Sequence, residues 1–249
     1  MIDLHSHILP GLDDGSRTVE DARALAHRAA ADGVTAIAAT PHVRPDYPTR
    51  PEEMERGVLR LREDFLEQGI DVEVLQGGEI DLGTLATLAD DDLRRFTLAQ
   101  SGTYLLLEFP YAGWPAGLEE TVYALGLRGL VPILAHPERN RAVQGNPTRL
   151  AEAVRLGALV QLTAASLDGR IGRSAEKAAG RLLELGLAHV LASDAHTPEI
   201  REAGLGAAAE AVGGELARFL TVEAPAAIVA GEPVPAPPRK PRRRRYLLF

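Results

Sequence analysis

The chain has 249 residues, a mass of 26.6 kDa and a formal net charge of −8 at pH 7. It contains no cysteine, which excludes disulfides, thiolate metal ligands and a thiolate nucleophile. No run approaches the roughly 20 apolar residues of a membrane span, and Met1 leads into an apolar strand without a signal sequence. We therefore expect a cytoplasmic protein, and its acidic body makes nucleic acid a poor partner.

Short β-rich apolar runs alternate with amphipathic segments of helical period along the whole chain. The pattern predicts seven strands, near 2–7, 34–40, 72–77, 104–109, 131–135, 159–163 and 189–193. It predicts helices within 19–31, 52–68, 118–127, 147–156 and 175–185, several followed by a glycine that would end them. Repeated strand–helix units form either an open doubly wound sheet or a barrel.

Histidines and carboxylates stand at the carboxyl ends of nearly every predicted strand. They are His5, His7, Asp14, His42, Glu79, Glu108, His136, Asp194 and His196. In a barrel of parallel strands these ends face one rim, whereas an open sheet would scatter them along an edge. We therefore predict an α/β fold, a distorted TIM-like (β/α)7 barrel of parallel strands with a metal site at the C-terminal rim.

The pair His5 and His7 is the first indication of a metal. Residues two apart in a strand project to the same side, so both imidazoles can bind one ion. A single pair is also explained by coincidence on a surface. However, Asp194 and His196 repeat the spacing after the last strand, and five of the seven histidines fall at strand ends. The other two, His27 and His189, are expected to be packing or surface residues.

Two of the acidic positions have alternatives. Asp13 and Asp14 precede a glycine in an ordinary turn sequence, so without the other ligands a turn would be the better interpretation. Glu79 and Asp81 compete for one role, and Glu79 is preferred because it follows its strand directly.

Nine candidate ligands exceed the needs of one or two ions, since a catalytic zinc takes about three protein ligands. The set fits up to three divalent ions, and imidazoles with carboxylates suit Mn, Mg, Fe or Zn. Such a cluster attracts anions and acidifies bound water, which favours phosphate-ester hydrolysis. Arg139 and Arg201 each follow a proposed ligand and could bind phosphate oxygens. A solvated surface arginine is the alternative for both, and it is the stronger interpretation for Arg201.

The last segment differs in composition from the rest. We predict a barrel domain over 1–230 and a tail over 231–249 that is rich in proline and then basic. A solvated, disordered end is the simpler interpretation. The alternative is that the basic run from Arg239 to Arg245 contacts an anionic partner or a membrane surface.

Several motifs occur in a specific order. They are MIDLHSHILPGLDDG at 1–15, ATPH at 39–42, GE at 78–79, LEF at 107–109, HPERN at 136–140 and SDAH at 193–196. In this order, over about residues 1–230, the chain resembles the polymerase and histidinol phosphatase (PHP) superfamily. Within it, the opening motif is similar to that of the bacterial capsular and exopolysaccharide tyrosine phosphatases. Val43 departs from the second histidine that many relatives carry after His42.

The resemblance implies a trinuclear centre, most often of Mn²⁺. The implied ligands are His5, His7, Glu79 and Asp194 for one ion, Glu79, Glu108 and His136 for a second, and Asp14, His42 and His196 for a third. It implies attack of metal-activated hydroxide on phosphotyrosine, with Arg139 stabilising the phosphate oxygens. The implied substrate is the phosphotyrosine-containing tail of a bacterial tyrosine autokinase that controls polysaccharide synthesis and export.

Two other functions stay open at this point, as does assembly into a homo-oligomer. The same centre could act on a small phosphomonoester such as histidinol phosphate. A non-catalytic module that only binds the kinase tail is the alternative of another class, although such a surface has no need for nine convergent ligands.

Overall fold

The computed structural model describes residues 1–196 and 204–238. Its strands are β1 (Ile2–Ser6), β2 (Ala36–Ala39), β3 (His42–Arg44), β4 (Tyr47–Pro48), β5 (Glu73–Gln76), β6 (Glu79–Asp81), β7 (Tyr104–Glu108), β8 (Val131–Ala135), β9 (Leu159–Thr163) and β10 (Val190–Ala192). Its α-helices are α1 (Val19–Ala31), α2 (Pro51–Gln68), α3 (Asp90–Arg95), α4 (Leu118–Leu127), α5 (Arg141–Gly145), α6 (Ala151–Arg155), α7 (Ala164–Leu167), α8 (Arg173–Leu185), α9 (Leu205–Val212), α10 (Gly214–Arg218) and α11 (Ala224–Ala230).

The strands pair in parallel, apart from the short antiparallel hairpin of β3 and β4. One sheet has the order β1-β2-β5, and the other has the order β10-β9-β8-β7-β6-β3-β4. Two backbone hydrogen bonds connect the chain after β10 to β1, from the Asp194 N–H to the His5 carbonyl (2.9 Å) and from the His7 N–H to the Ala195 carbonyl (2.8 Å). The carboxyl ends of the first and last strands therefore lie side by side.

All seven predicted strands are present, and the α/β class with its mostly parallel strands is confirmed. The sequence did not predict that the second and third strands are each broken, so that β2 continues as β3 and β5 continues as β6. A side chain at Gly77 would come within 2.8 Å of Leu98, and one at Gly78 within 2.6 Å of Phe96. Between β5 and β6 the chain therefore passes two crowded positions that favour glycine, and pairing is divided between two sheets instead of running as one continuous ring.

The long helices begin and end where the sequence signals predict. The Thr18 side chain accepts a hydrogen bond from the Asp21 N–H at the start of α1, and Pro51 opens α2. Gly69 ends α2 in the left-handed conformation with φ +67°. The predicted helix 147–156 is instead a 3-10 turn, Pro147–Leu150, followed by α6. Additional 3-10 turns are Leu85–Thr87, Leu98–Gln100 and Pro137–Arg139, and a π-helical turn, Phe219–Glu223, precedes α11.

Both faces of the central strands are apolar. In β7, Leu105 and Leu107 pack in one hydrophobic cluster, while Tyr104 and Leu106 pack in another. This is the alternation expected of a strand covered on both faces, and each fully buried leucine contributes roughly 1.5–3 kcal/mol to stability. The polar residues are left to the strand ends, where they form the candidate site.

Two features concern the ends of the described structure. The Tyr104 hydroxyl donates to the Glu232 carbonyl at 2.6 Å, so the chain after α11 packs back onto β7. Arg201 and the basic run from Arg239 to Arg245 lie outside the described residues. Within 1–196 and 204–238, no helix combines the length and apolar character needed to cross a membrane.

Candidate metal centre

The structure brings all nine predicted ligands together at the carboxyl ends of the strands. Four overlapping groups have ligand atoms within 4.8 Å of one another: His7, Asp14, His42 and His196; His5, Glu79 and His136; His5, His7 and Asp194; and His42, Glu79 and Glu108. Every predicted ligand belongs to at least one group. Four residues belong to two groups each, as expected of a site in which neighbouring metal ions share ligands.

Glu79 lies at the centre of the cluster and is fully buried. Its Oε1 is 2.9 Å from Nε2 of His136. Its Oε2 is 3.0 Å from Nδ1 of His42 and 3.4 Å from Nε2 of both His5 and His7. One carboxylate therefore faces four imidazoles, which is the geometry of a bridging ligand.

Two of these atoms provide a test of whether the residues fit a metal. Glu79 Oε2 and His42 Nδ1 are buried and face each other at 3.0 Å, and among the described residues neither has another hydrogen-bond partner. Buried polar atoms with so few partners are costly, and a divalent cation would bind both. Ligands about 2.1 Å from one ion and at right angles stand about 3 Å apart, which agrees with their separation of 3.0 Å. The donor set therefore fits divalent metal ions.

Three histidines are oriented by a hydrogen bond of the ring nitrogen Nδ1. His5 Nδ1 is 3.0 Å from Oε1 of Gln161, and His7 Nδ1 is 2.7 Å from Oδ2 of Asp13. His196 Nδ1 is 3.0 Å from a backbone carbonyl. These bonds assign the proton to Nδ1 and leave each Nε2 lone pair for a metal.

The two alternative carboxylates have other roles. Asp13 accepts hydrogen bonds from the backbone N–H groups of Gly15 and His42, each at 2.9 Å, so it is a turn residue that also orients His7. Asp81 accepts from the Gly83 N–H at 2.8 Å and closes the turn after β6. The geometry agrees with the preference for Glu79 over Asp81.

The backbone is strained at two of the candidate ligands. His136 has φ +38° and Asp194 has φ +52°, in the left-handed region that residues with a side chain rarely adopt. Such conformations cost about 1–3 kcal/mol and persist where the surroundings fix them. Both residues directly follow or closely follow a strand, so the strain lies where β8 and β10 deliver their ligands to the cluster.

Burial and opposite charge compete within the cluster. Burial alone would raise the pKa of Glu79, but the charge of His5 and hydrogen bonds from His136 and His42 hold it well below its usual range. Burial would lower the pKa of His7, yet hydrogen bonds to carboxylates, that of Asp13 foremost, raise it well above its usual value. The charged forms of Glu79 and His7 are therefore stabilised by the opposite charges around them.

Arg139 lies where the sequence placed it, beside the cluster. Its Nη1 donates to Oδ2 of Asp194 at 2.9 Å, and its guanidinium lies 4.6 Å from the ring centroid of Tyr111. The second predicted arginine, Arg201, is outside the described residues.

A further arginine, Arg44, was not predicted. Its Nη1 donates to both carboxylate oxygens of Glu108, at 3.0 and 3.3 Å. Burial raises the pKa of Glu108, and the nearby charge of Glu79 raises it further. The sequence could have indicated Arg44 by its position two residues after His42, because that spacing puts both side chains on the same side of a strand.

Glu138 is a second residue that the sequence did not single out. It is buried, and its Oε1 accepts hydrogen bonds from the Thr163 N–H (2.9 Å) and the Ser166 hydroxyl (2.6 Å). Burial raises its pKa to about 7. These bonds fix the turn that carries His136 and Arg139 to the start of α7. The sequence could have indicated Glu138 by its position between the histidine and the arginine of the HPERN motif at 136–140.

An α/β fold whose strand ends carry five imidazoles and four carboxylates in overlapping groups defines a class of proteins suited to hold several metal ions. Residues 1–229 match the family model described as capsular polysaccharide synthesis, CpsB/CapC. This chain belongs to that family, and the resemblance inferred from the motifs is confirmed.

Individual relatives agree with the family. The chain is 34% identical to the tyrosine-protein phosphatase YwqE of Bacillus subtilis (strain 168) over 255 aligned residues that cover 100% of both chains. It is 29% identical to the tyrosine-protein phosphatase CpsB of Streptococcus pneumoniae over 239 residues, which cover 92% of this chain and 98% of that protein.

Solved structures give the same result. A chain from crystal structures of YwqE and CpsB, described as unique metal-dependent tyrosine phosphatases, matches with a TM-score of 0.85 and 33% identity over 96% of this chain and 100% of that one. A probable 2-pyrone-4,6-dicarboxylic acid hydrolase from Acinetobacter baumannii matches with a TM-score of 0.54 at 14% identity, over 92% of this chain and 98% of that one. The second match shows the fold alone.

Proposed function

We propose that this protein is a metal-dependent protein-tyrosine phosphatase. The observation that carries the proposal is the convergence of nine nitrogen and oxygen ligands around the buried Glu79, with Arg139 beside them. Relatives that match along nearly the whole chain are named tyrosine-protein phosphatases. The absence of cysteine agrees with hydrolysis that needs no thiolate.

Three divalent ions are proposed, with Mn²⁺ as the first choice and Fe, Zn or Mg as alternatives. His5, His7 and Asp194 would hold one ion together with Glu79; Glu79, Glu108 and His136 a second; and Asp14, His42 and His196 a third. The observed groups support the first and third sets in part, since His5, His7 and Asp194 form one group and His7, Asp14, His42 and His196 form another. They do not reproduce the second set, because Glu108 groups with Glu79 and His42 whereas His136 groups with Glu79 and His5. Bound divalent ions would supply positive charge for the phosphate oxygens and acidify water in the site.

The chain's own residues would orient and stabilise the reacting phosphate. Arg139 presents a guanidinium that is fixed by Asp194 and Tyr111, so it can bind phosphate oxygens without losing much side-chain freedom. Tyrosine would leave as a phenolate of pKa about 10, a better leaving group than an alkoxide. Hydrolysis of an aryl phosphate therefore needs less help from a general acid than hydrolysis of an alkyl phosphate.

The partner we propose is the phosphotyrosine-containing segment of a bacterial tyrosine kinase that acts in capsular or exopolysaccharide synthesis, in the cytoplasm. The family description and the names of the relatives support the pathway. Residues 1–230 are proposed as the catalytic unit, in agreement with the family match to 1–229. A phosphate contact by Arg201 and an anionic contact by the basic run from Arg239 to Arg245 remain proposals for parts of the chain outside the described residues.

The decisive experiment assays Mn²⁺-loaded protein on phosphotyrosine peptides and on histidinol phosphate side by side. We expect efficient turnover of the peptides and loss of turnover after chelation. A clear preference for histidinol phosphate would show a small-molecule phosphomonoesterase. Tight peptide binding without turnover of either substrate would show a non-catalytic binding module.

A further inference from the structure

Arg44 and Arg139 make similar contacts with two different carboxylates of the cluster. Arg139 donates from Nη1 to Asp194, and Arg44 donates from Nη1 to Glu108. The two side chains are similarly enclosed, with 18% and 22% of their surface exposed. Each guanidinium is therefore fixed against a candidate ligand carboxylate while part of it faces solvent.

Aromatic rings hold both guanidiniums in the same way. Arg44 lies 5.2 Å from the ring centroid of Tyr47, and that ring stacks on His42 with centroids 5.8 Å apart. On the other side, Tyr111 lies under the second guanidinium and stacks on His136, also with centroids 5.8 Å apart. A guanidinium over an aromatic face keeps its N–H donors in the plane of the group, where they can bind an anion.

Arg44 retains donors for a ligand. Its contacts engage Nη1, with Glu108, and Nε, which lies 2.9 Å from Oδ1 of Asp46. A guanidinium has five N–H donors, so the two hydrogens of Nη2 remain. Arg44 also borders a surface cavity of about 790 Å³ beside β3 and β4, so its side chain is accessible from solvent.

We propose that Arg44 is a second phosphate-binding residue and that the substrate's phosphate lies between Arg44 and Arg139. A phosphoryl group spreads its charge over three oxygens during transfer, so donors from two sides stabilise it better than donors from one. The inference rests on the proposed function for the ester that is cleaved, but the binding of phosphate itself does not depend on turnover.

Binding of inorganic phosphate to the Mn²⁺-loaded full chain, measured by calorimetry, tests this role. Arg44→Gln removes a charged hydrogen-bond donor, so we expect phosphate affinity to fall by roughly tenfold to a hundredfold. Arg44→Lys keeps the charge without the fork and recovers part of the affinity. The double variant that combines Arg44→Gln with Arg139→Lys should bind phosphate more weakly than either single variant, because both groups contact the same phosphate.

Arg23→Lys is the matched control. Arg23 is 30% exposed and donates from Nε to Asp64 at 2.9 Å, so it is a similar arginine–carboxylate pair, but it links α1 to α2. The Arg23→Lys variant should therefore bind phosphate with unchanged affinity.

Metal content and steady-state kinetics separate phosphate binding from mere support of Glu108. Unchanged Mn²⁺ stoichiometry with weaker phosphate binding and a raised KM for a phosphotyrosine peptide is the expected result. Loss of Mn²⁺ from Arg44→Lys, or phosphate affinity unchanged in Arg44→Gln, would overturn the proposal. Phosphate binding that depends on Arg44 in a protein that hydrolyses no phosphotyrosine would instead reject the proposed function alone.

Discussion

The cluster has a buried side and an open side. On the buried side, His5, Glu79 and His136 are 0–2% exposed and lie on β1, on β6 and directly after β8. On the open side, the side chains of Asp14 and His196 are 45% and 12% exposed and lie on loops after β1 and β10. The ligands of the buried side are part of the core, whereas those of the open side are in contact with solvent.

The first way to break this distinction is Glu79→Gln, which keeps the shape of the side chain and removes its charge. Because Glu79 faces imidazoles of both sides, we expect lower metal stoichiometry throughout and a fall in kcat/KM of about a thousandfold, equal to about 4 kcal/mol. Metal analysis and steady-state kinetics measure both effects. Glu73→Gln, at an exposed position on β5, is the control, and a variant of Glu79 with its full metal content would refute the bridging role.

His189 shows what burial does to an imidazole without a carboxylate. Burial lowers its pKa from 6.5 to about 4, and its Nδ1 accepts a hydrogen bond from the Val160 N–H at 3.2 Å. The unfolded chain binds this proton more tightly, so the contribution to stability is present above pH 6.5 and is lost as the pH falls towards 4. The predicted loss is about 3 kcal/mol.

His189→Gln keeps an acceptor for Val160 and cannot be protonated. Urea unfolding of both proteins between pH 7 and pH 4 should show the wild type losing stability relative to the variant over this range. Parallel curves for the two proteins would show that His189 does not contribute, and that burial is less unfavourable for this imidazole than we infer.

Asp14→Asn tests the open side. The change weakens one ligand of the group that contains His42 and His196 but does not touch the buried side. We expect the stoichiometry to fall by one ion and kcat/KM to fall by about a hundredfold, about 2.7 kcal/mol. Glu20→Gln, an exposed change on α1, serves for comparison. Complete loss of metal from Asp14→Asn would mean that the two sides are not separable.

The convergence of the candidate ligands could be predicted from the sequence because each one stands at or soon after the carboxyl end of a predicted strand. Period-two spacing aligns His5 with His7, and parallel strands bring their carboxyl ends to one rim, so no knowledge of register is needed. The same alternation of strands and helices predicts the fold class. The break between β5 and β6 lies at Gly77 and Gly78, which are close to Leu98 and Phe96 only in the folded chain. The local sequence pattern therefore could not predict it.

The residues that orient the ligands could not be predicted in this way. Arg44 needed the pairing of β3 with β6 and of β6 with β7 to reach Glu108. Glu138 needed the positions of β9 and α7, because its partner Thr163 ends β9 and its partner Ser166 lies on α7. Their positions in sequence indicate burial or proximity to a motif, but the partner is fixed by tertiary structure.

Substitution of Gln161 is expected to have the smallest effect of these changes, and it affects only the buried side of the cluster. Gln161 lies on β9, 156 residues from His5 in sequence, and its Oε1 is the acceptor that fixes the His5 ring. Gln161→Met keeps the volume but removes the acceptor, so we expect about a tenfold loss of Mn²⁺ affinity at the ion bound by His5. Gln161→Glu restores an acceptor and should retain the affinity. Titration of Mn²⁺ against a competing chelator distinguishes the strongly affected ion from the others. If Gln161→Met leaves every affinity unchanged, β1 alone orients His5 and the buried side needs no support from β9.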